Sequence, residues 1–116
     1  MILGLGEDGH TASLFPQSDL VRRCVAREID EREWVAESYV EKLSAQRVTL
    51  LPNVINNSSC IAFLVCGKNK ANAVAQVIEG AYAPNQYPAQ LIKPLCSQKL
   101  YWYLDDDAAS LLRDSR

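Results

Sequence analysis

One histidine stands in the whole chain, His10, and the four cysteines (Cys24, Cys60, Cys66 and Cys96) form no Cys-x-x-Cys pair. Zinc and its relatives are held by three or four such side chains at characteristic spacings, so no metal centre is expected. Positive charge is not in excess either: 12 Lys and Arg against 14 Asp and Glu leave a formal net charge of −2. That gives no basic field, so neither nucleic acid nor an anionic membrane is expected as a partner. No apolar run approaches the roughly 20 residues that cross a bilayer. The first residues are apolar but lack a charged start and a cleavage site, so no export signal is expected. A cytoplasmic location with reduced cysteines is the default. Repeats and low-complexity tracts are lacking too. What remains is 116 residues, 48% hydrophobic and 22% charged, the balance of an ordinary globular chain with room for one domain (residues 1–116) and a modest core.

Glycine is sparse, five in all, yet three fall in one stretch: Gly4-Leu5-Gly6-Glu7-Asp8-Gly9-His10-Thr11-Ala12-Ser13-Leu14-Phe15-Pro16. The apolar Met1-Ile2-Leu3 before it reads as the end of a buried strand. Glycine can take φ > 0 and lets backbone N–H groups approach a ligand closely. Thr11 and Ser13 sit where a helix could begin and are good N-cap residues. A strand, a glycine turn and a helix start together form the usual cradle for an anion.

His10 in such a turn is a candidate general base, because imidazole titrates near neutrality and takes a proton from water. Water so activated attacks a carbonyl, and the N–H groups of the turn, at Gly6 and Gly9, are candidate donors to the oxyanion. Asp8, two residues before His10, has two readings: an Asx-turn acid bonded to its own loop, or the group that orients the imidazole. Thr11 and Ser13 are caps first and ligand contacts second. No metal or organic cofactor is needed for ester hydrolysis of this kind.

The thirteen residues from Gly4 to Pro16 resemble the signature of the 6-phosphogluconolactonase family, whose members hydrolyse 6-phosphogluconolactone to 6-phosphogluconate. The resemblance implies that His10 matches the family's general base and that a phosphorylated sugar lactone is the substrate. The sister family, glucosamine-6-phosphate deaminase, shares the Gly-x-Gly-x-Asp-Gly-His core but places a catalytic Glu five residues after the His. That position here is Phe15, which argues against the deaminase. Gly67-Lys68-Asn69-Lys70-Ala71 is similar to the family's Gly-x-x-Lys-Ala, which implies that Lys70 binds the substrate phosphate. Arg47-Val48-Thr49-Leu50 resembles its Arg-x-Thr-Leu segment. Arginine's planar fork suits phosphate; an ion pair from Arg47 to Asp8 or to the acidic segment 30–41 is the competing reading. Lys42-Leu43-Ser44-Ala45 stands where the family has Lys-Pro-Pro, so the entry to the next strand is expected to differ.

Along the chain, Cys60-Ile61-Ala62-Phe63-Leu64-Val65-Cys66 is the clearest strand. A continuous apolar run fits a strand covered on both faces of a parallel sheet, with Cys60 and Cys66 as buried thiols. Residues 69–79 read as a helix with Ala71, Val74, Ala75 and Ile78 on one stripe, stopped by Gly80. Pro52 opens a short helix. Residues 21–26 fit a short strand or a helical turn, 34–39 alternate as a strand does, and 46–51 and 99–104 read as strands. Pro88 to Ile92 fits one helical turn. Asp105-Asp106-Asp107 is expected to cap a helix over 108–113.

The fold expected is α/β, a mostly parallel sheet of about four strands with flanking helices. In the family's terms that is half of a Rossmann-like, NagB-type domain, since the resemblance covers only the C-terminal half of the longer lactonases. Their N-terminal half brings a Ser/Gly-rich phosphate loop and an Asp-Glu-Arg motif that this sequence does not contain. Two alternatives therefore stand beside the hydrolase: a non-catalytic remnant that binds sugar phosphate, and a relative of the deaminase. A sheet beginning at the first strand presents an apolar edge, for which a second copy of the chain or another partner is the expected cover.

Overall fold

The apolar run most conspicuous in the sequence becomes the middle strand of a sheet. The computed structural model describes residues 1–95 and 99–113, and Cys96 lies outside them. In it β1 (Ile2–Leu3), β4 (Ile61–Val65) and β5 (Leu100–Leu104) form a three-stranded sheet in the order β1-β4-β5. Both pairings are parallel, with Leu3 opposite Phe63 and Phe63 opposite Trp102. β2 (Val35–Val40) and β3 (Ala45–Leu50) pair antiparallel as a separate hairpin, Val35 opposite Leu50. The sheet of about four strands is thus three parallel strands and a two-stranded ribbon. β2 hides Ser38 and Val40 but exposes Val35 and Tyr39. A strand with one wet face suits a ribbon and not the interior of a parallel sheet.

Residues 21–26, open between strand and helix, fall in α1 (Asp19–Val25), whose N-terminus is capped by Ser18 Oγ accepting from Val21 N–H at 3.2 Å. Pro52 does open a helix, α2 (Pro52–Asn56). After β4 a 3₁₀ turn (Lys68–Lys70) leads into α3 (Ala71–Glu79), and Pro88–Leu91 is a further 3₁₀ turn. α2 and α3 cover one face of the sheet. There Leu3, Ile55, Ile61, Phe63, Val65 and Val74 form the main core, and the Phe63 and Trp102 rings stack at 4.0 Å. A second cluster, Leu14, Leu20, Val21 and Leu51, holds α1 against the loop after β1.

Several expectations give way to this packing. Burial along β4 alternates: Ile61, Phe63 and Val65 are buried, whereas Leu64 is 51% exposed, with Ile2, Tyr101 and Tyr103 also open to solvent on the strands beside it. The strand is covered on one face only. Cys60 and Cys66 are accordingly exposed, not buried, since Cys66 continues the open side of the alternation. Cys24 is the half-buried thiol; desolvation pushes its pKa up, and Arg23 offsets this only in part.

In α3 the buried residues are Ala71, Ala73 and Val74, while Ile78 is 40% exposed, because the covered stripe turns away before the last turn. The helix expected over 108–113 is a series of turns. Asp105 does cap, with Oδ1 accepting from Ala108 N–H at 2.8 Å, and Ala109 N–H closes one helical turn to Asp105 O at 3.1 Å, but the bonds after it close over three residues, Ser110 to Asp107 and Leu112 to Ala109. Ser110 Oγ also donates to Asp107 O at 2.7 Å, offering the backbone a local alternative to the helix.

Truncating Phe63 to Ala should cost about 3–5 kcal/mol of stability through the lost ring and its cavity. Leu64→Ala on the open face should cost under about 1 kcal/mol. Urea denaturation followed by circular dichroism measures both.

Candidate active site

The glycine stretch folds into a closed loop hung from β1. Gly6 N–H donates to His10 O at 2.8 Å and Gly9 N–H to Gly6 O at 3.0 Å. Thr11 Oγ1 donates to Gly4 O at 2.7 Å, and the residue is buried, so the hydroxyl ties the far side of the loop back to the strand. No helix begins at Thr11 or Ser13. Thr11 bridges to Leu14, Ala12 and Gln17 both have left-handed φ (50° and 59°), and Pro16 holds Phe15 away from helical geometry. The helix starts only at Asp19, so the anion cradle expected from an adjacent helix N-terminus is not built here.

Two glycines are required by what surrounds them. A Cβ on Gly6 would fall onto Nδ1 and Cε1 of His10. Gly9 has φ +89°, and a Cβ there would stand 2.8 Å from Tyr87 Cδ1. The imidazole thus lies against the backbone of Gly6. Its Nδ1 is 2.6 Å from Asp8 Oδ1, with the two side chains 28% and 29% exposed. The same Asp8 oxygen accepts the His10 backbone N–H at 3.1 Å. Asp8 thus makes both an Asx-turn bond and a contact to the ring. The Phe15 ring stacks on the imidazole at 4.3 Å, a contact that no local pattern of residues foretells.

The N–H groups of Gly6 and Gly9, looked to as oxyanion donors, are both spent inside the loop. Lys70 brings a cation to the loop: Nζ donates to Leu5 O at 2.7 Å from the 3₁₀ turn after β4. Its neighbour Asn69 donates from Nδ2 to Glu7 Oε1 at 2.7 Å, a second tie between the same two segments. The hairpin contributes Thr49, whose Oγ1 accepts Ser13 N–H at 3.0 Å. Arg47 lies two residues earlier on the same face of β3, exposed and opposite Ser38. It stands apart from the contacts that gather Asp8, His10, Thr11 and Lys70. Between the loop, α1 and the hairpin opens a cavity of about 800 Å³, lined in part by Asp8, Phe15, Arg22, Ser38, Tyr39 and Gln46. Carboxylate, amide, guanidinium and aromatic groups in one cavity suit a ligand with many hydroxyls.

This loop, with its Gly-x-Gly-x-Asp-Gly-His order, falls within residues 1–102, which match the family model described as glucosamine-6-phosphate isomerases/6-phosphogluconolactonase. The chain belongs to that family. It is 38% identical over 114 residues to the 6-phosphogluconolactonase of Homo sapiens, covering 97% of this chain and 40% of the human one. To that of a Synechocystis strain it is 35% identical over 113 residues, 97% and 42% of the two chains. Among solved structures it superposes on the 6-phosphogluconolactonase of Trypanosoma brucei with a TM-score of 0.73 at 28% identity, over 94% of this chain and 40% of that one. The Leishmania guyanensis enzyme gives 0.71 at 28% identity, over 95% and 40%. The chain spans about two-fifths of the length of these relatives. The family membership and the likeness to solved 6-phosphogluconolactonases bear out the α/β fold and the family resemblance read from the glycine stretch. Among the described residues no helix is long and apolar enough to cross a membrane.

Gly6→Ala should drive the imidazole off Asp8, whereas Gly4→Ala, where a Cβ meets open space, should leave it in place. With a single histidine, the imidazole proton and ¹⁵N NMR signals report this directly: a displaced signal for Gly6→Ala and a wild-type signal for Gly4→Ala.

Proposed function

We propose that this chain carries the hydrolytic half-site of a 6-phosphogluconolactonase, with His10 as general base toward 6-phosphoglucono-1,5-lactone. The observation that carries the reading is the 2.6 Å contact between His10 Nδ1 and Asp8 inside the glycine loop. An ionised carboxylate only accepts, so Nδ1 carries the ring proton and Nε2 keeps a free lone pair. Nε2 takes a proton from water as its oxygen bonds to the lactone carbonyl carbon. The tetrahedral oxyanion collapses, the ring C–O bond breaks, and the imidazolium returns the proton to the departing ring oxygen. The product is an open-chain hydroxy acid, which loses its carboxyl proton to water.

Lys70 and Arg47 are the groups we assign to the phosphate. Lys70 spends one N–H on Leu5 O and has two more to give. Arg47 lies exposed on the face of β3 that also carries Thr49. Gly6 and Gly9 serve the shape of the site, and Thr11 its attachment to β1. No metal or cofactor enters this chemistry, and a cytoplasmic setting fits its soluble sugar phosphate substrate. The deaminase reading is weaker, because Phe15 stands where that family has its catalytic Glu and its ring covers one face of the imidazole. The open face and edge of the parallel sheet support a second copy or another partner as its cover. Sedimentation of a compact monomer would count against that cover.

The deciding assay follows freshly made lactone with the chain, with His10→Ala and with no protein. We expect hydrolysis above the unaided rate, lost by about 10²–10⁴-fold in His10→Ala, and a KM raised about tenfold or more in Lys70→Ala. Folded chain that only matches the blank, yet binds 6-phosphogluconate, would make this a sugar phosphate binder. Release of ammonia from glucosamine-6-phosphate would revive the deaminase.

A further inference from the structure

The segment 81–90, between α3 and the last strand, touches the His10 loop at two places. Ala89 N–H donates to Gly9 O at 3.0 Å, and Gln17 N–H donates to Asn85 O at 2.8 Å. Between them Tyr87 is the wall that Gly9 packs against, its own backbone Cα included. The loop is therefore bracketed on both sides of the imidazole, by backbone groups that have little freedom to yield.

One side chain fixes this segment. Gln90 is 7% exposed, and its amide is fully engaged. Oε1 accepts Ala83 N–H at 2.7 Å, while Nε2 donates to Gln76 O at 3.1 Å and to Ala81 O at 3.0 Å. These bonds join the body of α3, the start of the segment and the 3₁₀ turn that carries Ala89. No charged group takes part. An apolar residue of similar volume would fill the space but take away the partners of Ala83 N–H and Ala81 O and leave Gln76 O with Gly80 N–H alone, so that nothing would select one arrangement of the segment. A site functions when its groups are held to within about 0.5 Å, and that precision comes from supporting hydrogen bonds of this kind.

We propose that Gln90 is a positioning residue for His10, acting through Tyr87, Ala89 and Gly9 on the geometry of the Asp8–His10 contact. The proposal rests on His10 being the base, but it is tested without turnover. Because the chain has one histidine, ¹⁵N NMR of the full chain reads its neutral tautomers without ambiguity. In the wild type the Nδ1–H form held by Asp8 should dominate. In Gln90→Met its share should fall. In Gln90→Glu, which keeps the acceptor for Ala83 N–H, it should lie between. Ile61→Val, a comparable lesion in the main core, should leave it unchanged. Where the chain turns over lactone, Gln90→Met should lower kcat on the order of tenfold or more with KM unchanged.

A folded Gln90→Met with the wild-type tautomer share would overturn the proposal, as would an equal change in Ile61→Val. If Gln90→Met does not fold, Gln90→Glu replaces it in the same comparison. Should neither fold, the amide serves the fold as a whole and the proposal fails. A wild type inert toward lactone would sink the catalytic reading while leaving the tautomer result to stand on its own.

Discussion

The imidazole of His10 occupies the space that a Cβ at position 6 would need, and the rest of the site is arranged around that approach. Gly6 N–H returns to His10 O, closing a turn tight enough for Asp8 to reach both the backbone and the ring of His10. Phe15 then covers the imidazole from another side. A ring held by a backbone, a carboxylate and an aromatic face has few orientations left. The orientation of the ring is thus settled by the fold itself, the kind of preorganisation on which catalytic groups in general depend.

The loop in turn is held from three distant parts of the chain, mostly through its own backbone. Lys70 reaches Leu5 O, Thr49 receives Ser13 N–H and Ala89 donates to Gly9 O. Asn69 to Glu7 adds a tie between two side chains. Backbone anchors constrain the path of the loop without drawing on its side chains. They also explain why the hairpin, set apart from the parallel sheet, still matters to the site: it presents Thr49 to the loop.

Much of this was legible in the residues. Ile61–Val65, α3 and the Pro52 helix follow from local patterns of apolar spacing and punctuation, and the glycine stretch announced a special backbone. The patterns failed where the outcome depended on what covers a surface. An unbroken apolar run from Cys60 to Cys66 does not say that one of its faces stays open, so the thiols were misplaced. Thr11 and Ser13 are good caps, but Ala12 in a left-handed conformation and Pro16 nearby deny them a helix. Asp105 caps as its position suggests, yet Ser110 competes for the backbone and the helix beyond never forms. Tyr87 and Gln90 carry no periodic signal at all. They matter only because a segment far along the chain returns to Gly9.

The parallel sheet pairs Ile2 with Ala62 and Ala62 with Tyr101, whereas β2 and β3 meet across a short turn. Closing long loops costs entropy before any contact repays it, and non-local pairings are correspondingly slow to form. The hairpin and α3 have partners close at hand. β1 must wait for β4, and the loop that bears Asp8 and His10 hangs from β1, braced by residues as distant as Lys70 and Ala89. His10 takes its immediate neighbours from within five residues, Gly6, Asp8 and Phe15, but the loop that carries them is braced from 65 residues away at Lys70, so a local arrangement is held by non-local ties.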